Sequence, residues 1–278
     1  MKNELLSPAL RSRLQAIRHV ALDMDGTIYN GNTLFPFTTA ALRRLKDLHI
    51  GYSFLTNNPS KSVQEYVQRL HAIGIAATPD EIYTSGRATI DYLRTHHPSL
   101  RRLFILGAPG MIAEFEQAGF ISTRDDAADH PDAVVVAFDT TLAYSRLCRA
   151  AWWVADNRPY IATNPDRVCP TDRPTILVDC GSICAAIERA TARTPDVVIG
   201  KPDPRMLEGI MQRHALRPHE IAMVGDRIYT DIAMAKNTCA LGVLVLTGEA
   251  RPEDIARSPV KPDMVVNDLG EFCETLRR

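Results

Sequence analysis

Short apolar runs of strand length alternate along the chain with segments of helical period. The strand candidates are His19–Asp23, Gly51–Thr56, Leu103–Gly107, Ala133–Phe138, Tyr160–Thr163, Val197–Gly200, Ile221–Gly225, Leu241–Thr247 and Met264–Val266. Between them, Val63, Tyr66, Val67, Leu70 and Ile73 keep the i, i+3, i+4, i+7 spacing of one helix face. Ser60 or Ser62 is placed to cap that helix. Met206, Leu207, Ile210 and Met211 form another apolar stripe, opened by Pro204. Strand–helix alternation of this kind predicts an α/β fold around a mainly parallel sheet, its strands buried on both faces.

Two prolines interrupt helical patterns, at His96-His97-Pro98-Ser99 and Arg193-Thr194-Pro195, because proline disfavours the α conformation in the residue before it. The segment between them has its own strand–helix alternation and is domain-sized. The chain is therefore read as a core of residues 1–97 and 195–278, with residues 98–194 inserted as a second α/β domain.

Composition narrows the partners. The 278 residues are 45% hydrophobic and carry 32 basic against 33 acidic side chains, a formal net charge of −1. That balance excludes a strongly polyanion-seeking surface, and no basic stripe interleaves with aromatics, so nucleic acid is not an expected partner. The longest apolar runs, Ala133–Phe138 and Leu241–Leu246, fall far short of the roughly 20 residues a membrane-spanning helix needs. The first twenty residues carry Lys2, Arg11, Arg13 and Arg18 without a continuous apolar stretch. This predicts no secretory signal and a cytoplasmic protein, with an organelle transit peptide left open. The six cysteines are accordingly read as reduced thiols. Cys148, Cys169, Cys180 and Cys184 share one stretch, but no second close pair or histidine completes a zinc site there. They are read as small buried hydrophobes.

Four polar clusters each follow an apolar strand candidate. They are Asp23-Met24-Asp25-Gly26-Thr27, Thr56-Asn57-Asn58, Gly200-Lys201-Pro202, and Gly225-Asp226 with Asp231 five residues on. In an open parallel sheet the carboxyl ends of the strands face one crevice, where ligands bind. Carboxylates packed together there repel unless a cation neutralises them, and an all-oxygen donor set suits Mg2+ beside a substrate phosphate. A carboxylate can attack phosphorus to form an acyl phosphate, and a second acid two residues on can protonate the leaving oxygen. A lysine, a hydroxyl and backbone N–H groups would hold the remaining phosphoryl oxygens. Taken singly, each cluster reads as a turn, a helix cap or a solvated lysine. Their order along the chain, each at a strand end, is what carries the phosphoryl-transfer reading.

Those clusters resemble the four motifs of the haloacid dehalogenase superfamily of phosphatases. The closest likeness is to its type IIA subgroup of nucleotide and sugar phosphatases, 4-nitrophenylphosphatases, phosphoglycolate phosphatases and pyridoxal phosphate phosphatases. Thr84-Ser85-Gly86, Ala162-Thr163-Asn164-Pro165-Asp166, Ile199-Gly200-Lys201-Pro202 and Val245-Leu246-Thr247-Gly248 extend the resemblance. It implies a Rossmann-like hydrolase core with an inserted C2-type cap. It also implies Asp23 as nucleophile and Mg2+ ligand, and Asp25 as general acid and base with its backbone carbonyl on the metal. Asp226 would complete the protein's metal ligands, with Asp231 supporting them. Thr56, Asn57 and Lys201 would bind phosphoryl oxygens, and Lys201 would also steady Asp23. Dehalogenases of the superfamily lack an acid at the position of Asp25, so its presence favours phosphate esters.

By the same resemblance, substrate choice falls to the cap loops Thr163–Pro170 and Asp179–Ser182. Asn164, Asp166 and Cys169 are the candidate specificity residues, with an Asx turn as the other reading of Asn164 and Asp166. Cys169 stands where pyridoxal phosphate phosphatases place a ring-contacting histidine. Leu177-Val178-Asp179-Cys180-Gly181 replaces the usual glycine-rich turn, so no named substrate carries over. Trp152 and Trp153 are read as cap core or as a homodimer contact through the cap rather than a base-stacking platform. The expected activity is Mg2+-dependent hydrolysis of a small phosphorylated metabolite. A phosphotransferase with the same residues, or a low-turnover ligand-binding protein on the same fold, are the alternatives.

Overall fold

The computed structural model describes residues 7–171 and 174–276. Lys2, part of the segment read above for a secretory signal, lies outside the described residues. In chain order the strands are β1 (His19–Asp23), β2 (Tyr29–Asn30), β3 (Thr33–Leu34), β4 (Gly51–Thr56), β5 (Ile82–Thr84), β6 (Arg102–Leu106), β7 (Ile121–Ser122), β8 (Ala133–Val136), β9 (Tyr160–Ala162), β10 (Val168–Cys169), β11 (Leu177–Val178), β12 (Val197–Val198), β13 (Ile221–Gly225), β14 (Leu241–Val245) and β15 (Met264–Val266). No described helix is long and apolar enough to cross a membrane.

One compact unit holds the chain up to Leu55, Arg69–Tyr83 and the chain from Pro202 onward. Its sheet has the order β15-β14-β13-β1-β4-β5. β1 runs parallel to both β13 and β4, and β13, β14 and β15 are parallel in turn. Every residue of β1, β13 and β14 is buried, so helices and loops cover both faces of these strands, as their unbroken apolar runs require. Register then sets the chemistry: Leu22 pairs with Val224 and Asp23 with Leu55. The carboxyl ends of β1 and β13 therefore coincide, which brings Asp23 and Asp226 to the same rim of the sheet.

The helices follow the stripes that predict them. Met206, Leu207, Ile210 and Met211 are the buried face of Arg205–His214. Of the two candidate caps for Val63–Ala72, Ser62 is the one used. Its hydroxyl accepts from Glu65 N at 3.3 Å while Glu65 Oε2 accepts from Ser62 N at 2.7 Å, a reciprocal capping box.

The other compact unit holds Thr56–Gln68 and Thr84–Lys201. Its five-stranded sheet, β12-β9-β8-β6-β7, is drawn wholly from residues 102–198 and is parallel throughout. Helices Tyr144–Ala155 and Cys180–Thr191 pack Ala150, Trp153, Val154, Ile183 and Ile187 against Phe104, Leu106, Val134, Val136 and Tyr160. The two proline breaks act as expected. Helix Ser85–His96 ends before Pro98, and Cys180–Thr191 closes on left-handed Ala192 (φ +57°), three residues before Pro195.

One reading needs correction. Cys180 and Cys184 are buried, their sulfurs 3.9 Å apart on one helix face, but Cys148 is exposed and Cys169 half-buried. Helical phase explains Cys148, which lies between the exposed Tyr144 and Trp152 at four-residue steps. The two tryptophans also part company. Trp153 is core, whereas Trp152 is 46% exposed beneath the Arg149 guanidinium.

His19 is buried at the start of β1, its Nε2 2.9 Å from Ser53 Oγ and its ring 4.4 Å from that of His214. Burial, and then the neighbouring His214, lower its pKa to about 3. An unfolded histidine titrates near 6.5, so between those values the unfolded chain binds the extra proton. The contribution of His19 is complete above about pH 6.5 and is lost as pH falls toward 3, by about 1.4 kcal/mol per unit. Denaturant unfolding at pH 7 and pH 5 should therefore show wild type losing about 2 kcal/mol more than His19→Gln does. Identical losses in the two proteins would rule His19 out as the source.

Candidate active site

The candidate residues fall into two groups, one in each unit. In the first, Asp23 closes β1, Asp226 follows β13, and Asp231 lies in the wide helical turn Ile228–Ile232. One carboxylate oxygen from each lies within 4.8 Å of the others, and all three residues are buried. Such an approach requires small neighbours. A Cβ at Gly26, whose φ is +84°, would collide with the Asp226 carboxylate, and one at Gly225 would collide with Asp231.

Backbone donors fix the rest. Glu249 N donates to Asp226 Oδ2 at 2.7 Å, Arg227 N donates to Asp231 Oδ2 at 3.1 Å, and the Thr27 hydroxyl donates to Asp23 Oδ2 at 3.3 Å. The Thr247 hydroxyl holds Gly26 O at 2.6 Å, which gives the Val245–Gly248 segment its part in the site. Asp226 Oδ1, by contrast, is buried with no hydrogen-bond partner. Burial, and then the charges of Asp23 and Asp231, push Asp226 up to about 7.

A buried acceptor without a donor, inside a cluster of oxygen ligands, fits a hard divalent cation. The residues that would hold it are Asp23 and Asp226 with the backbone carbonyl of Asp25. Asp231 brings a carboxylate oxygen to the same cluster. The Asp25 carboxylate is not part of the cluster. It is half-buried, and its pKa is raised by burial and then by Asp23, opposed by the Gly31 N–H, Arg69 and Arg227. Sequence reasoning missed Arg227 and Glu249. Arg227 Nε lies 2.9 Å from Glu249 Oε2, and Tyr229 OH donates to Glu249 Oε1 at 2.9 Å. A charged residue beside Gly225-Asp226 was the only signal available.

The second group is organised by Asn57, 7% exposed. Its amide pairs with the backbone of Lys201 from both sides: Lys201 N donates to Asn57 Oδ1 at 2.6 Å, and Asn57 Nδ2 donates to Lys201 O at 3.1 Å. The same Nδ2 donates to Asp166 Oδ2 at 3.1 Å. Asn57 O in turn accepts from Ser85 Oγ at 2.7 Å and from Asn164 Nδ2 at 3.0 Å. With its side chain committed to Lys201 and Asp166, Asn57 works here as a brace. Lys201 is itself buried, and the Thr56 hydroxyl accepts from Asn58 N at 3.1 Å.

The candidate specificity residues divide in the same way. Asn164 is fully buried, and besides Asn57 it accepts from Asp166 N at 2.9 Å, the Asx turn weighed above. Asp166 is turned onto Asn57. Cys169 is half-buried, with its sulfur 3.4 Å from Asn58 Nδ2. The loops Thr163–Pro170 and Asp179–Ser182 are knitted together, Gly181 N donating to Asp166 O at 2.7 Å and Ser182 Oγ to Arg167 O at 2.8 Å. Asp179 caps helix Cys180–Thr191 and is pushed up to about 7, by burial first and with Asp166 adding to it.

Comparison with known proteins places the chain in a family. A family model of haloacid dehalogenase-like hydrolases matches residues 20–121, and a second, HAD-hydrolase-like model matches residues 198–272. The acid sugar phosphatase of Staphylococcus epidermidis is 32% identical over 257 residues, which cover 92% of this chain and 97% of that one. Among solved structures, the 4-nitrophenylphosphatase of Thermotoga maritima superposes with a TM-score of 0.89 at 38% identity, over 95% of this chain and 99% of that one. The glycerol phosphate phosphatase of Mycobacterium tuberculosis, solved in complex with magnesium, gives a TM-score of 0.85 at 28% identity, over 95% and 78% of the two chains. The chain belongs to the haloacid dehalogenase-like hydrolases, in the type IIA subgroup of phosphatases.

Proposed function

We propose that this phosphatase is a Mg2+-dependent hydrolase of small phosphomonoesters, sugar phosphates or nucleotides, working through an aspartyl-phosphate on Asp23. The observation that carries the reading is the buried cluster of Asp23, Asp226 and Asp231, in which Asp226 Oδ1 has no partner. The relatives, named as phosphatases of sugar, nitrophenyl and glycerol phosphates, support the substrate class. The magnesium complex of the M. tuberculosis relative supports the choice of cation.

In this reading Asp23 and Asp25 carry the chemistry, and Thr56, Asn57 and Lys201 bind phosphoryl oxygens. The residues 98–194 serve as the cap. A carboxylate oxygen of Asp23 forms a bond to phosphorus as the ester P–O bond breaks, and Asp25 gives its proton to the departing oxygen. Asp25 then takes a proton from a water that attacks phosphorus, which releases inorganic phosphate and restores Asp23. Burial that keeps Asp25 protonated to higher pH suits the first of those steps. The Lys201 ammonium, the Thr56 hydroxyl and the Asn57 N–H take the phosphoryl oxygens, held in place by the Asn57 brace. When bound, the cation neutralises the clustered carboxylates and the charge on the phosphoryl group.

Phosphate release from a panel of phosphomonoesters, with Mg2+ and with excess chelator, tests this directly. Asp23→Asn should lose roughly a thousandfold or more in kcat, because an amide cannot form the acyl phosphate. Chelator should have a similar effect on wild type. Asn57→Ala should cost about a hundredfold by letting Lys201 drift. Full activity of Asp23→Asn would end the proposal. The stability of the metal-free protein gives a second check. Asp226, raised in the folded state, costs stability once pH rises through about 7. Asp226→Asn should therefore raise the metal-free melting midpoint at pH 8 by roughly 5 °C, and should abolish the further rise that Mg2+ gives wild type. A variant that melts below wild type and still responds to Mg2+ would contradict the clustered-charge account.

A further inference from the structure

Asp25 lies outside the carboxylate cluster, on the turn that leads from β1 into a short hairpin. Gly26 N donates to Tyr29 O at 2.8 Å, and Asp25 itself forms an isolated bridge to Tyr29. The chain continues as β2 and β3, which are antiparallel, with Gly31 in the left-handed region at φ +56° between them. The Gly31 N–H faces the Asp25 carboxylate. Its carbonyl accepts from Arg69 Nη2 at 2.8 Å, and the Arg69 guanidinium lies over the buried Tyr29 ring, 4.9 Å from its centroid. Arg69 comes from the last turns of helix Val63–Ala72, a separate segment of the chain. One planar group thus holds both the first strand of the hairpin and its turn, and its charge acts on the Asp25 carboxylate.

We propose that Arg69 is a positioning residue for Asp25: by clamping Tyr29 and Gly31 it fixes the hairpin that carries the Gly31 N–H against the Asp25 carboxylate. The inference rests on the reading of Asp25 as the proton donor. Arginine suits the task because its guanidinium can stack on a ring face while an edge N–H donates in plane, whereas a lysine ammonium can do only one of these well. The other cation that acts on Asp25, Arg227, is tied to Glu249. Proton delivery demands that donor and leaving oxygen come within hydrogen-bond distance, and a drift of about 1 Å costs on the order of a hundredfold. That cost falls on esters whose leaving oxygen needs the proton, an alkoxide far more than a nitrophenolate.

The experiment compares kcat and KM for 4-nitrophenyl phosphate and for glycerol phosphate in wild type, Arg69→Met, Arg69→Lys and Asp25→Asn. The ratio of the two kcat values within one preparation is independent of the fraction that folds, and circular dichroism reports the fold separately. Arg69→Met should lose about tenfold more kcat on glycerol phosphate than on the nitrophenyl ester, with KM little changed, and Arg69→Lys should recover part of the difference. Asp25→Asn should show the same selectivity more strongly. Equal losses on both esters in Arg69→Met, beside a selective loss in Asp25→Asn, would overturn the role of Arg69 alone. No selectivity in Asp25→Asn would overturn the proton-donor reading and this inference together.

Discussion

Like charges buried at the end of a parallel sheet are the constraint on which the catalytic unit is built. Asp23, Asp226 and Asp231 bring carboxylate oxygens within 4.8 Å of each other, away from water, where the repulsion between anions is many times its value in solvent. A fold can tolerate that only by protonating one group or by taking up a cation. The raised Asp226 is the first outcome, and the unpartnered Asp226 Oδ1 prepares the second. Around the cluster, the in-register ends of β1 and β13, the bare glycines and the backbone N–H groups of Arg227 and Glu249 hold the acids in place.

The second unit meets the opposite need, placing a buried cation. Lys201 is fixed through its main chain by the Asn57 amide, and Asn57 is fixed by Asp166, Asn164 and Ser85. Each half is thus organised before any ligand arrives, so little reorganisation remains for the moment of reaction, which is where electrostatic catalysis gains most. Asn164, buried, belongs to that set through its bond to Asn57 O.

Legibility followed the length and burial of each segment. β1, β4, β13 and β15 have their bounds where the apolar runs put them, because four or five buried residues in a row leave an unbroken hydrophobic signature, and Met264–Val266 sits between turn signals. β5 escaped notice because three residues, Ile82–Thr84, follow a capped turn and lead straight into a helix. The two-residue strands, including the β2–β3 hairpin, carry no periodicity at all. The acids, Thr56, Asn57 and Lys201 could be named because their order at strand ends is a pattern along the chain. The directions of their side chains are not such a pattern. The Asn57 side chain meets the Lys201 backbone across 144 residues of chain, and Arg69 meets Gly31 across 38. Cys148 was misjudged because burial on a helix depends on phase, which a lone cysteine does not report.

The central claim is that Asp23, buried and clustered with two other acids, becomes covalently phosphorylated. Acid-quenching the enzyme during steady-state turnover with Mg2+, reducing it with borohydride and mapping its peptides by mass spectrometry tests this most directly. An acyl phosphate is reduced to the alcohol, so the account predicts homoserine in place of Asp23 in samples given substrate, and unmodified Asp23 in samples without it. Continued turnover with Asp23 unmodified, or with the conversion at another carboxylate, would contradict it.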